Sequence, residues 1–91
     1  MKTITVKNSL HLGDCIITLN LLNKIVKIND VRFIFNINQP YVNEINYHIE
    51  DHNKIILGTD INEGYETWMA KSDTFPERQQ IGIYPFFFDF Y

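Results

Sequence analysis

Ser9-Leu10-His11-Leu12-Gly13-Asp14-Cys15-Ile16-Ile17-Thr18-Leu19 is the stretch that decides the fold, because the hydrophobic period changes inside it. Ahead of it, Thr3 to Lys7 alternates polar and apolar residues, many of them β-branched, as a strand does. Beyond a loop from Asn8 to Leu12 the period becomes about 3.6 and predicts a helix from Asp14 to about Ile28. Asn20, Asn23, Lys24 and Lys27 form its polar stripe; Cys15, Leu19, Leu22 and Val26 lie opposite, flanked by Thr18, Leu21 and Ile25. Asp14 at the start and Lys24 and Lys27 near the end complement the helix dipole, and Asn29-Asp30 supplies a stop.

Working outward, Val31 to Ile37 reads as a second strand, and strand-helix-strand over this length favours a right-handed crossover with parallel strands. Pro40 falls in the first turn of a short helix expected to reach about Ile49, with Asn38 as its candidate cap and Tyr41, Ile45 and Ile49 on one face. Asp51-His52-Asn53 ends it, and Lys54 to Gly58 is aliphatic enough for a buried parallel strand. The class is therefore α/β: a Rossmann-like, three-layer βαβαβ domain with a mainly parallel sheet. Asn62 to Lys71 reads as one helical stretch around Tyr65, Trp68 and Met69, followed by a Ser72-Asp73-Thr74 loop and Pro76. Tyr84 to Tyr91 holds 6 of the 13 aromatic residues, so it is expected to pack under further chain, to bind a partner or to self-associate.

Composition narrows the function classes. Ninety-one residues make one domain, 1–91, and leave no room for a second. A net charge of −3, with the basic residues scattered, gives no footprint for nucleic acid. Cys15 has no second cysteine to pair with and lies among aliphatic residues, which suits a buried thiol in a reducing compartment. The charged amino terminus does not read as a signal peptide, and no apolar run approaches the roughly 20 residues that span a bilayer. A cytoplasmic location follows as the expectation, with peripheral association at the inner membrane face left open.

The strand-to-helix junction is where chemistry is expected. Gly13 lets backbone approach a ligand, the helix start offers unpaired N–H groups, and Asp14 there either caps the helix or takes a proton as general base. The loop lacks both the dinucleotide Gly-x-Gly-x-x-Gly pattern and the phosphate-loop Gly-Lys-Ser/Thr. No cofactor is expected. Glu44, His48 and His52 would offer zinc-ligand spacing only if their helix ran through Asp51-His52-Asn53, so they read as solvated residues and no metal site is assigned. Tyr65, Trp68 and Met69 suit core packing better than stacking on a sugar.

Ser9-x-x-Leu12-Gly13-Asp14, followed by an aliphatic pair and Thr18, resembles the amino-terminal signature of glycosyltransferase family 9, the ADP-heptose:lipopolysaccharide heptosyltransferases. The resemblance spans about Thr3 to Gly58. It implies the acceptor-side, N-terminal domain of a GT-B fold, with a second, donor-binding domain outside these residues. It further implies inverting, metal-independent transfer of sugar from a nucleotide-sugar donor to a glycan or lipid-linked glycan acceptor. Asp14 becomes the catalytic base, Gly13 shapes the loop, and Ser9, His11 and Thr18 neighbour the acceptor. Where the family has proline two residues after the threonine, this chain has Asn20. The residues alone also allow a different class, a small non-catalytic α/β module that binds a partner through Tyr84 to Tyr91. A third reading is a phosphate or nucleotide binder at the helix start.

Overall fold

A computed structural model describes residues 1–67 of the chain. Their elements run β1 (Lys2–Asn8), α1 (Leu12–Ile28), β2 (Val31–Ile37), a 3₁₀ turn (Gln39–Tyr41), α2 (Val42–His48), β3 (Ile55–Gly58) and β4 (Tyr65–Glu66). The four strands form one sheet in the order β3-β2-β1-β4, and every pairing is parallel. The βαβαβ, Rossmann-like α/β architecture read from the sequence is thus the fold of the described residues.

Alternation along the strands sends one face of the sheet into the core. Ile4 and Val6 of β1 stand beside Phe33 and Phe35 of β2, and Ile55 of β3 pairs with Phe33; all are buried. Leu19, Leu22, Ile25 and Val26 of α1 and Ile45 of α2 close over them. Full burial of each Phe or Leu stabilises the fold by about 1.5–3 kcal/mol. The two helices touch each other on this same face. Sheet and one helical layer are therefore two of the three expected layers.

The other face carries the connection from β3 to β4. Asn36 Nδ2 donates to the Glu63 carbonyl at 2.9 Å, and this residue, out of phase with the core positions of β2, is itself buried. A side chain on Gly58 would collide with the Asn36 Oδ1 atom. Gly64 adopts φ +112°, and a Cβ there would lie 2.8 Å from the Thr5 carbonyl oxygen. The chain thus crosses back tightly against the sheet and places β4 on the free side of β1.

Three expectations change. Tyr65 and Glu66 form a strand against Val6 and Lys7, not part of a helix from Asn62, because the left-handed Gly64 breaks any helix and β1 offers an open edge. Asn23, assigned to the polar stripe, is buried: its Nδ2 donates to the His48 carbonyl and its Oδ1 accepts the Glu50 N–H, capping the end of α2. Finally, α1 starts at Leu12, two residues earlier than expected, with His11 at its N-cap. Trp68, Met69, the rest of the expected helix to Lys71, the Ser72-Asp73-Thr74 loop and Tyr84–Tyr91 lie outside the described residues.

Candidate functional site

The winding of the sheet reverses at β1. From β1 the chain steps to β2 and β3 on one side, then returns to β4 on the other. In open α/β sheets ligands bind in the crevice outside the carboxyl ends of the strands at such a reversal. The loop Ser9–His11 and the first turn of α1 stand at that end of β1.

Asp14 sits three residues past the N-cap, in the first turn of α1. Its Oδ2 accepts the main-chain N–H of His11 at 3.2 Å, while Oδ1 has no hydrogen-bond partner among the described residues. The carboxylate is partly exposed, and Ser9, His11 and Gly13 beside it are exposed. Gly13 lies within the helix, with open space where a side chain would be. Its lack of a side chain relieves no clash in the fold.

Thr18 is placed differently. It is 3% exposed, one turn deeper in α1, inside a chain of directed hydrogen bonds. Asn8 Nδ2 donates to the Thr18 hydroxyl at 3.2 Å, that hydroxyl donates to Thr67 Oγ1 at 3.4 Å, and Thr67 Oγ1 donates to the Lys7 carbonyl at 2.7 Å. Asn8 Oδ1 also accepts the Leu10 N–H at 3.0 Å. The chain joins the end of β1, the inner face of α1 and the residue after β4, fixing the floor beneath the loop.

Cys15 packs on this floor, fully buried, its Sγ 3.7 Å from the Asn8 carbonyl oxygen. Burial pushes its thiol up to about 11, with the negative charges of Asp14 and Glu66 adding to the rise. The thiol is therefore protonated at neutral pH and a poor nucleophile. Both of those carboxylates, Asp14 in the first turn of α1 and Glu66 at the end of β4, act on this buried thiol.

Asn8, Asn38 and Thr67 hold the loop and its floor and escape sequence reasoning. Asn38, expected to cap the helix at Pro40, makes no side-chain cap bond and instead reaches the Ser9 and Leu10 carbonyls. An asparagine ending a strand ahead of a serine is a usable turn signal and could have drawn attention to Asn8. Nothing local marks Thr67, whose place depends on β4 finding β1.

The remaining polar groups assemble no second centre among the described residues. Helix α2 ends at His48, whose Nε2 lies 3.0 Å from Glu44 Oε2, and His52 falls beyond the helix end. No group of three metal-ligating side chains forms among the described residues. A groove of about 450 Å³ runs beside Lys2–Thr5 of β1 and Glu63–Tyr65. It borders the part of β1 that β4 leaves unpaired and is separate from the carboxyl-end crevice. No helix among the described residues is long and apolar enough to cross a membrane. No family model matches the chain, and neither the curated proteins nor the solved structures contain a match.

Proposed function

We propose that this chain is the acceptor-binding half of a glycosyltransferase similar to family 9, with Asp14 as the general base. One observation carries the reading: a partly exposed carboxylate, its Oδ1 unpaired among the described residues, stands in the first turn of α1, at the point where an all-parallel sheet reverses its winding. That is where this fold class places ligands. The sequence Leu12-Gly13-Asp14 supplies the likeness that makes the ligand a sugar hydroxyl.

In this mechanism the acceptor hydroxyl lies against Asp14 Oδ1 and gives it its proton. The hydroxyl oxygen bonds to the anomeric carbon of the donor sugar, the bond from that carbon to the diphosphate oxygen breaks, and the nucleoside diphosphate leaves with the electron pair. Attack opposite the leaving group inverts the anomeric centre. Exposed Ser9 and His11 border the acceptor, and the main chain at Gly13 lets it approach the helix start; buried Thr18 supports the loop from below. The donor belongs to a domain outside these residues. A lipid-linked acceptor would bring the protein to the cytoplasmic membrane face as a peripheral visitor.

The test is an amide-shift titration of the 91-residue chain with deacylated lipopolysaccharide core oligosaccharide. Saturable shifts at Ser9–Asp14 support the reading. Shifts confined elsewhere, or none at millimolar oligosaccharide, overturn it.

A further inference from the structure

We infer that Asn38 is a positioning residue of the Asp14 site, clamping the loop that borders the acceptor from the neighbouring strand-to-helix connection. The inference rests on the reading of Asp14 given above. Asn38 Nδ2 donates to two loop carbonyls, Ser9 at 2.9 Å and Leu10 at 3.2 Å. Two other loop groups are held from within the same short segment, the Leu10 N–H by Asn8 Oδ1 and the His11 N–H by Asp14 Oδ2. Those partners lie two and three residues away in sequence, in the two elements that the loop itself joins. Among the described residues Asn38 is the side chain that ties Ser9 and Leu10 to a different element, the end of β2.

The local sequence frees Asn38 for this task. At the N-cap of the Gln39–Tyr41 turn its side chain would ordinarily bond the main chain just ahead, but Pro40 in that turn has no N–H to offer. The amide turns across the carboxyl end of the sheet instead. Asn38 lies outside the core cluster and is partly exposed, so its two bonds act on the shape of the loop and not on the packing of the sheet. Loop shape in turn sets where the Ser9 and His11 side chains stand relative to Asp14, which sits on the first turn of the same helix.

The experiment uses the full chain and the variants Asn38→Leu and Asn38→Asp. Leucine removes both donors. Aspartate removes them near pH 7 and regains one when its carboxyl protonates. Amide exchange at Leu10 is compared with wild type at the same pH, and Leu19 and Phe33 serve as core controls. Loss of a hydrogen bond of ordinary strength predicts roughly tenfold faster Leu10 exchange in both variants near pH 7, with the controls unchanged. At pH 3 the aspartate variant regains protection and the leucine variant does not. Exchange equal to wild type in both variants, or identical behaviour of the two at both pH values, overturns the clamp.

A second readout separates this inference from the function on which it rests. Affinity for the core oligosaccharide is expected to fall about tenfold in Asn38→Leu. Equal affinity in wild type and variant overturns the positioning role. If wild type itself does not bind, the acceptor reading and the positioning role fail together, while the exchange data still report whether the clamp exists.

Discussion

Asp14 and His11 hold each other across the start of α1: the carboxylate Oδ2 accepts the His11 N–H at 3.2 Å, so one oxygen closes the first turn and the other stays open. A structural and a chemical role thus coexist on one side chain. They are separable, because asparagine keeps an oxygen acceptor but loses the basic carboxylate. Asp14→Ala should lower stability by about 1 kcal/mol through the lost bond. Asp14→Asn should unfold within a few tenths of a kcal/mol of wild type in urea, since the acceptor for His11 persists.

Gly13→Ala splits stability from binding. Gly13 occupies a helical position where an added Cβ meets nothing, so alanine should raise stability by about 0.5–1 kcal/mol. If a ligand approaches the helix start there, oligosaccharide affinity should fall in the same variant. Thermal melts and a binding isotherm check the two effects together, and unchanged affinity would remove Gly13 from the site.

Gly64→Ala should act in the opposite sense. The φ of +112° and the contact of an added Cβ with the Thr5 carbonyl at 2.8 Å both oppose a side chain. A loss of about 2 kcal/mol or more is expected from the strain and the displaced β4 pairing. Denaturant midpoints at constant slope give the answer.

Asn8→Ala leaves the Thr18 hydroxyl without its Asn8 donor and the Leu10 N–H without its acceptor beneath a buried floor. The expected cost is about 2–3 kcal/mol, and the Leu10 amide should lose exchange protection before the core does.

Cys15 makes stability depend on alkaline pH. Its thiol titrates at about 11 in the folded chain against 9.0 when unperturbed, because burial first and the charges of Asp14 and Glu66 next disfavour the thiolate. Between those values the unfolded chain has released the proton while the native chain keeps it, so stability falls as pH rises from about 9 to about 11, by up to roughly 3 kcal/mol. Cys15→Ala should flatten that slope. Urea melts from about pH 8 to about pH 11 compare the two.

The parts of the fold legible in the sequence are those whose signal is local. Val31–Ile37 has the bounds its alternation predicts, and α1 ends at Ile28, where Asn29 donates both its N–H and its side-chain amide to the Ile25 carbonyl. Asp14 stands out for the same reason, at a change of period that marks the end of one element and the start of the next. What escapes depends on distant partners. Tyr65-Glu66 is too short to carry a period and becomes a strand because β1 has an open side. Asn23 has a surface residue's chemistry but is buried because α2 needs a cap. Asn38 has the position of a cap and serves another loop.

The most direct test of the central claim is the rate of sugar transfer from nucleotide-sugar to lipopolysaccharide core by the protein isolated at its native length, measured for the wild type and for Asp14→Asn. The account predicts transfer by the wild type and a fall of about 10²–10⁴-fold in the variant at an unchanged melting temperature, as expected when a general base is removed from an intact fold. Transfer at an undiminished rate by the variant would contradict Asp14 as the base, and absence of transfer by the wild type would contradict the glycosyltransferase reading itself.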